Sequence, residues 1–158
     1  MIFSSEPLNK NSAWRNILLP HNLLRGTMRL KTILNYGLKF KCFCIGKSEF
    51  NEKKDSIIVE IKARTNSKPV CSICGTASPG YDTLPERLFE FVPMWGLRVF
   101  FRYAMRRVSC PRCQRVVVEK VPWSDGKNHF TNHYAAFLAS WAKELSWKSV
   151  AEHFHTSW

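Results

Sequence analysis

The strongest constraint on this chain is a pair of short cysteine motifs, Cys71-Ser72-Ile73-Cys74 and Cys110-Pro111-Arg112-Cys113, with 35 residues between them. Each has the C-x-x-C spacing of a zinc knuckle, in which two thiolates from one tight turn take two corners of a tetrahedron. Two such turns complete the coordination. Gly75 after the first pair gives the backbone freedom a knuckle needs, and Pro111 fixes φ where the second turn begins. A disulfide framework, a thioredoxin-like redox pair and chemically silent buried thiols compete with this reading. A redox C-x-x-C comes once, opening a helix in a βαβ unit, rather than twice in basic, strand-rich surroundings, and nothing reads as a secretory signal. The spacing therefore favours structural zinc held by Cys71, Cys74, Cys110 and Cys113. The linker exceeds the roughly 15–20 residues of the commonest two-knuckle pattern, so the intervening chain must form structure of its own.

With 158 residues, 45% of them hydrophobic and 13% aromatic, the chain can bury one modest core or two small ones. No apolar run approaches the roughly 18 residues of a membrane span, so the expectation is a soluble protein of a reducing, cytoplasmic compartment with no membrane partner. The net charge of +12 points to a polyanionic partner through counterion release from phosphates. Residues 1–68 and 84–120 hold the excess of Lys and Arg, whereas 121–158 are balanced. A generally basic, soluble protein would show the same total.

Residues 1–27 show no sustained period, and Pro7 and Pro20 break any helix; they are expected to be a disordered or mis-assigned leader, with Met28 as an alternative start. Residues 40–45 and the β-branched run 56–64 predict two strands joined by a polar stretch over 47–55. Cys42 and Cys44 share one face of the first and read as half-buried thiols. Turns are expected at 78–80 and 84–85, then a strand over 87–92 closed by Pro93. The clearest strand follows: Leu97, Val99, Phe101, Tyr103 and Met105 alternate with Arg98, Phe100, Arg102, Ala104 and Arg106. It leads into Cys110, and Val116-Val117-Val118 follows Cys113, so the second knuckle is the tip of a β-hairpin. In this zinc-ribbon reading the metal pins hairpins whose cores are too thin to hold alone, and the binding energy is largely folding energy. Arg98, Arg102, Arg106, Arg107, Arg112 and Arg115 on or beside this hairpin are candidates to track a nucleic-acid phosphate backbone; a solvated strand face carries the same pattern.

Past Val121-Pro122-Trp123 the period changes from two to 3.6. Thr131 can cap a helix with Tyr134, Phe137, Leu138, Trp141 and Leu145 on one stripe, and Ser146 can cap a second with Trp147, Val150, Ala151 and Phe154. Two short amphipathic helices joined at a bend are the first two thirds of a tri-helical DNA-binding unit, whose third helix would open at Thr156 or Ser157. His129 and His133 are four apart but lack the H-E-x-x-H carboxylate and read as surface residues.

These residues resemble the N-terminal region of the ISL-three family of bacterial insertion-sequence transposases. The resemblance runs from Met28 to Trp158 and is carried by Met28-Arg29-Leu30-Lys31-Thr32-Ile33-Leu34-Asn35, by 64–75, by Gly80-Tyr81-Asp82-Thr83-Leu84-Pro85 with Phe89-Glu90-Phe91-Val92-Pro93, by Arg106-Arg107-Val108 with the second knuckle, by Val121-Pro122-Trp123, and by 141–158. It implies a zinc-binding domain followed by a helix-turn-helix domain; with the pattern reading above, the expectation is an α+β chain with a leader over 1–27, an N-terminal β region over 28–68, a small β-rich zinc-ribbon-like domain over 69–122 and an incomplete helix-turn-helix pair over 123–158. It implies zinc on the same cysteines, matched one for one, and double-stranded DNA at transposon terminal inverted repeats as partner. His155 stands where the family has a bend glycine, a position that can require positive φ. Full-length members carry an RNase-H-like domain with an acidic triad; none of it is in this sequence, so the chain as it stands is expected to be a truncated, non-enzymatic docking portion. A second reading is a zinc-ribbon module that binds protein, either itself or intact transposase. Thiol-disulfide exchange is a third.

Overall fold

The alternation over residues 97–106 organises the sheet. In this computed structural model, which describes residues 29–156, that run lies in β4 (Leu97–Cys110), with Val99, Phe101, Tyr103 and Met105 buried and Arg98 and Arg102 on the opposite face, while Arg106 turns toward Phe43 and Glu119. β3 (Gly80–Met94) pairs antiparallel along one edge of β4. The other edge is shared: β2 (Ser56–Ala63) runs parallel to its first half, and β5 (Arg115–Val118) runs antiparallel to its last residues. β1 (Phe43–Asn51) closes the far side, giving the order β1-β2-β4-β3 with β5 off β4. Among the described residues three α-helices complete an α+β fold: α1 (Leu30–Leu38), α2 (Asn132–Trp141) and α3 (Trp147–Phe154). The expected leader over 1–27 lies outside the described residues.

Several elements extend beyond what the sequence predicts. β1 continues through the polar stretch to Asn51 because β2 offers it a ladder that resumes at Ser48 after a bulge, and the hairpin closes through a short 3-10 turn, Glu52–Lys54. β3 runs through both expected breaks. Pro85 and Pro93 sit inside register shifts on an edge strand, where a missing N–H costs no ladder bond. The β3–β4 connection is two residues, Trp95 and Gly96, both at positive φ (54° and 77°), as a type I′ hairpin requires. α1 was not expected; its signal is Leu30, Leu34 and Leu38 at i, i+4, i+8, which turns one face onto the core.

The core is aromatic and lies on the inner face of the sheet. Trp123 is fully buried and meets Phe40, Phe43, Phe89 and Tyr103 at ring-centroid distances of 5.3, 4.9, 6.3 and 5.1 Å. Edge-on contacts of this kind add to area burial because ring edges and faces carry opposite partial charge. Phe43, Ile45, Val59 and Ile61 come from 28–68, whereas Phe89, Val99 and Phe101 come from 69–122. The expected boundary between these segments therefore runs through one sheet and one core. That also corrects the picture of thin hairpins: β4 lies between two strands over a shared core, and the cysteine cluster adds to its end.

The helix pair packs about a smaller cluster of its own, Tyr134, Leu138 and Val150 with Phe137 and Phe154 against them. Thr131 and Ser146 cap the two helices as expected, accepting from the backbone N–H of Tyr134 at 3.2 Å and of Ser149 at 3.1 Å. On the expected stripe, Trp141 and Leu145 are instead 43% and 41% exposed. The pair is fastened to the sheet at the outer edge of β3, where Glu90 N–H donates to the His129 carbonyl and Thr131 N–H donates to the Glu90 carbonyl, each at 2.8 Å. His155 ends α3 in the left-handed conformation (φ 51°, ψ 42°), the geometry expected of a bend position usually held by glycine.

Candidate metal centre

Both cysteine pairs sit on hairpin tips, and the two tips meet. The first is held by a bridge between Val70 and Ala77, with Cys71 N–H donating to the Thr76 carbonyl at 2.9 Å and Gly75 N–H donating back to the Cys71 carbonyl at 3.0 Å. The second is the β4–β5 turn, in which Cys110 pairs with Arg115. The residue after each second cysteine is left-handed: Gly75 at φ 72° and Gln114 at φ 52°. Glycine makes this conformation easy in the first knuckle, and Gln114 holds it without that help in the second. The tips are joined through the strand after β5: Cys71 bridges Glu119, and Lys120 N–H donates to the Val70 carbonyl at 2.8 Å.

This brings the four Sγ atoms of Cys71, Cys74, Cys110 and Cys113 within 4.8 Å of one another, a cluster that could hold one metal ion. Across the tips Cys71 lies 3.9 Å from Cys113, and Cys74 lies 3.5 Å from Cys110. These separations are far longer than the roughly 2.05 Å of a disulfide. Cys71 and Cys110 are buried and the other two half-buried. The Thr76 hydroxyl and then its backbone N–H pull the Cys74 thiol down to about 6. The Cys113 backbone N–H lowers Cys110, whereas neighbouring thiols, Cys74 first, push Cys113 up to about 12. Hydrogen bonds to the ionised form thus favour thiolates at two positions, one in each knuckle, and a cation needs its sulfur ligands in that state.

Beside the cluster lies a buried polar network that the sequence did not disclose. Glu119, 2% exposed, accepts from the Tyr103 hydroxyl (2.6 Å), the Arg106 backbone N–H (2.8 Å) and the Arg106 guanidinium (2.7 and 3.0 Å). Arg106 also donates to the Ser67 carbonyl at 3.0 Å. Burial, and then Glu119, raise the Tyr103 hydroxyl well above its ordinary range, so it stays a donor. The network secures the residue that bridges Cys71. A glutamate directly after three valines was the sequence signal for it, and only the register shows its partners.

The candidate DNA-contacting arginines divide. Arg106 is committed to Glu119. Arg98 bonds Glu90 at 2.8 Å and lies over the Phe100 ring; Arg107 bonds Asp82, and this partner holds the Asp82 carboxyl below its ordinary range. Arg102 lies 3.6 Å from Glu49 and 3.9 Å from Glu86. Arg112 and Arg115 stand exposed around the second knuckle, with no ion pair among the described residues. The pairing follows from register: Glu86 and Glu90 sit opposite Ala104 and Phe100, one diagonal step from the arginines on the same face. Cys42 and Cys44 are half-buried, away from the four-cysteine cluster, and His129 and His133 are exposed. Among the described residues no helix is long and apolar enough to cross a membrane. Comparison with protein-family models, with curated proteins and with solved structures finds no match to this chain.

Proposed function

We propose that this chain is a zinc-stabilised, DNA-docking portion of an insertion-sequence transposase of the ISL-three type, and that its partner is double-stranded DNA at transposon terminal inverted repeats. The observation that carries this reading is the convergence of all four knuckle cysteines at the end of the sheet, followed along the chain by the capped helix pair, the order that the sequence resemblance implies. Zinc suits the cluster because a four-sulfur tetrahedron with Zn–S bonds of about 2.3 Å has edges of about 3.8 Å, and the separations of 3.5 and 3.9 Å lie on either side of it. The left-handed bend at His155 supports the helix-turn-helix reading, because such a bend lets the chain leave α3 at a sharp angle. No acidic residue is assigned a catalytic role.

In this reading the metal holds two hairpin tips, and the cations of the sheet region meet phosphates. The test is a salt titration of duplex binding by the purified, metal-loaded chain. Log affinity should fall linearly with log salt, by about 0.9 for each phosphate neutralised. Affinity unchanged between low and high salt would refute the DNA reading, and absence of bound zinc would refute the cofactor.

A protein-binding module, engaging intact transposase or a second copy, is favoured by one feature, the exposure of Trp141 and Leu145 beside the α2–α3 bend. A tight protein complex on size exclusion without DNA would select it.

A further inference from the structure

The cations on β4 are largely neutralised by their own sheet, whereas a second group of cations is not. The loop between α1 and β1 carries Lys39 and Lys41, both exposed, and two of its non-glycine residues are left-handed, Lys39 at φ 44° and Cys42 at φ 67°. Such residues are uncommon outside tight, over-determined turns. The loop is pinned to the end of β2, where Arg64 N–H donates to the Cys42 carbonyl at 2.9 Å and the Arg64 side chain donates to the Phe43 carbonyl at 3.3 Å. Lys68, just before the first knuckle, and Lys120, just after β5, complete the group, and both are exposed.

These side chains line two adjoining clefts. The larger, of about 970 Å³, is bordered by Lys39, Lys41 and Arg64 together with Asn35, Asn66 and Ser67. The smaller, of about 260 Å³, is bordered by Lys41, Lys68 and Lys120, and by Arg106 with Glu119. Lys41, Cys42 and Phe43 line both, so the two clefts adjoin along this segment. Among the described residues its one lining carboxylate, Glu119, is already committed to Arg106 and Tyr103. Lys41, Lys68 and Lys120 make no ion pair among the described residues.

We propose that this lysine groove, rather than the arginine face of β4, is the surface that holds the phosphate backbone of double-stranded DNA. The inference rests on the DNA-docking reading above and names the surface within it. Lysines on flexible stems supply mobile point charges for phosphates without reading bases, and the amides of Asn35 and Asn66 add uncharged donors. A phosphate entering here displaces only water and counterions. At Arg98, Arg106 or Arg107 it must first displace a protein carboxylate.

The experiment compares two triple variants of the full chain on one duplex of about 20 base pairs. Lys41→Gln/Lys68→Gln/Lys120→Gln should lower the slope of log affinity against log salt by about 0.9 for each phosphate that is no longer neutralised, and weaken low-salt binding at least tenfold. Arg98→Gln/Arg102→Gln/Arg107→Gln, at positions paired with carboxylates on the β4 face, should keep the wild-type slope. Zinc content and a single cooperative thermal transition confirm that both variants are folded. Wild-type binding by the lysine variant together with weakened binding by the arginine variant overturns the groove and leaves the DNA reading standing. Salt-insensitive or absent duplex binding by the unmodified chain overturns both, and so does a preference for anionic lipid vesicles over duplex.

Discussion

The two ends of β4 are held in different ways. From Val99 to Met105 the strand is buried on one face against Trp123 and the aromatic residues around it. At Cys110 the apolar core has ended, and the structure closes through four sulfur atoms from two turns. The first region needs no ligand, because burial of large rings supplies its stability wherever the strands pair. The second has little to bury: Ile73, between the two cysteines of the first knuckle, is 62% exposed. The same polypeptide thus uses apolar burial where its strands are long and gathers four cysteines that could hold a metal ion where they shrink to turns, and the two halves should respond separately to insult.

Removing the metal is the strongest test of that separation. With zinc in the cluster as proposed, coordination is worth on the order of 10–16 kcal/mol in small zinc peptides, so a chelator or Cys110→Ser should release both knuckles. Hydrogen exchange should show the amides of Cys71, Gly75 and Lys120 losing protection while those of Val99 and Phe101 keep theirs. Uniform deprotection across the sheet would mean that the two regions are one cooperative unit. Substitution at the other region should do the reverse. Trp123→Ala should cost about 3–5 kcal/mol, read as a lower denaturation midpoint, with the bound metal retained at full stoichiometry. The smallest effect belongs to the helix pair, which packs about its own cluster and joins the sheet at the edge of β3. Ser146→Ala removes the cap of α3 and should cost about 1 kcal/mol, with exchange quickening in α3 and neither the metal content nor the Trp123 environment altered.

What was legible in the sequence follows a common pattern. The two knuckles, the alternation of β4 and both helix caps are local signals, carried by residues close together in the chain, and each was readable. The left-handed His155 was foreshadowed only by the family resemblance, as a bend position that the family fills with glycine. β1 beyond Ile45, and β3 through Pro85, were not. Their strand character comes from a partner, β2 in one case and β4 in the other, and polar or proline-bearing segments carry no such signal alone. α1 was missed because three leucines at i, i+4 and i+8 are a thin periodic signal in a nine-residue helix. For the arginines the alternation places Arg98 and Arg102 on one face, but Arg106 turns to Phe43 and Glu119, and their electrostatic state depends on carboxylates that the sheet register delivers from other strands.

By itself, then, the sequence determined where turns, caps and apolar faces occur, because those follow from the chemistry of near neighbours. The tertiary structure alone decided that residues 28–68 and 69–122 share a core and that Glu119 sits against Arg106. It also decided which positive charges are left for a partner. Charges far apart in sequence, such as Arg106 with Glu119 or Arg102 with Glu49, meet or miss according to strand order and register. Those are long-range properties, set by how the whole sheet buries its apolar face.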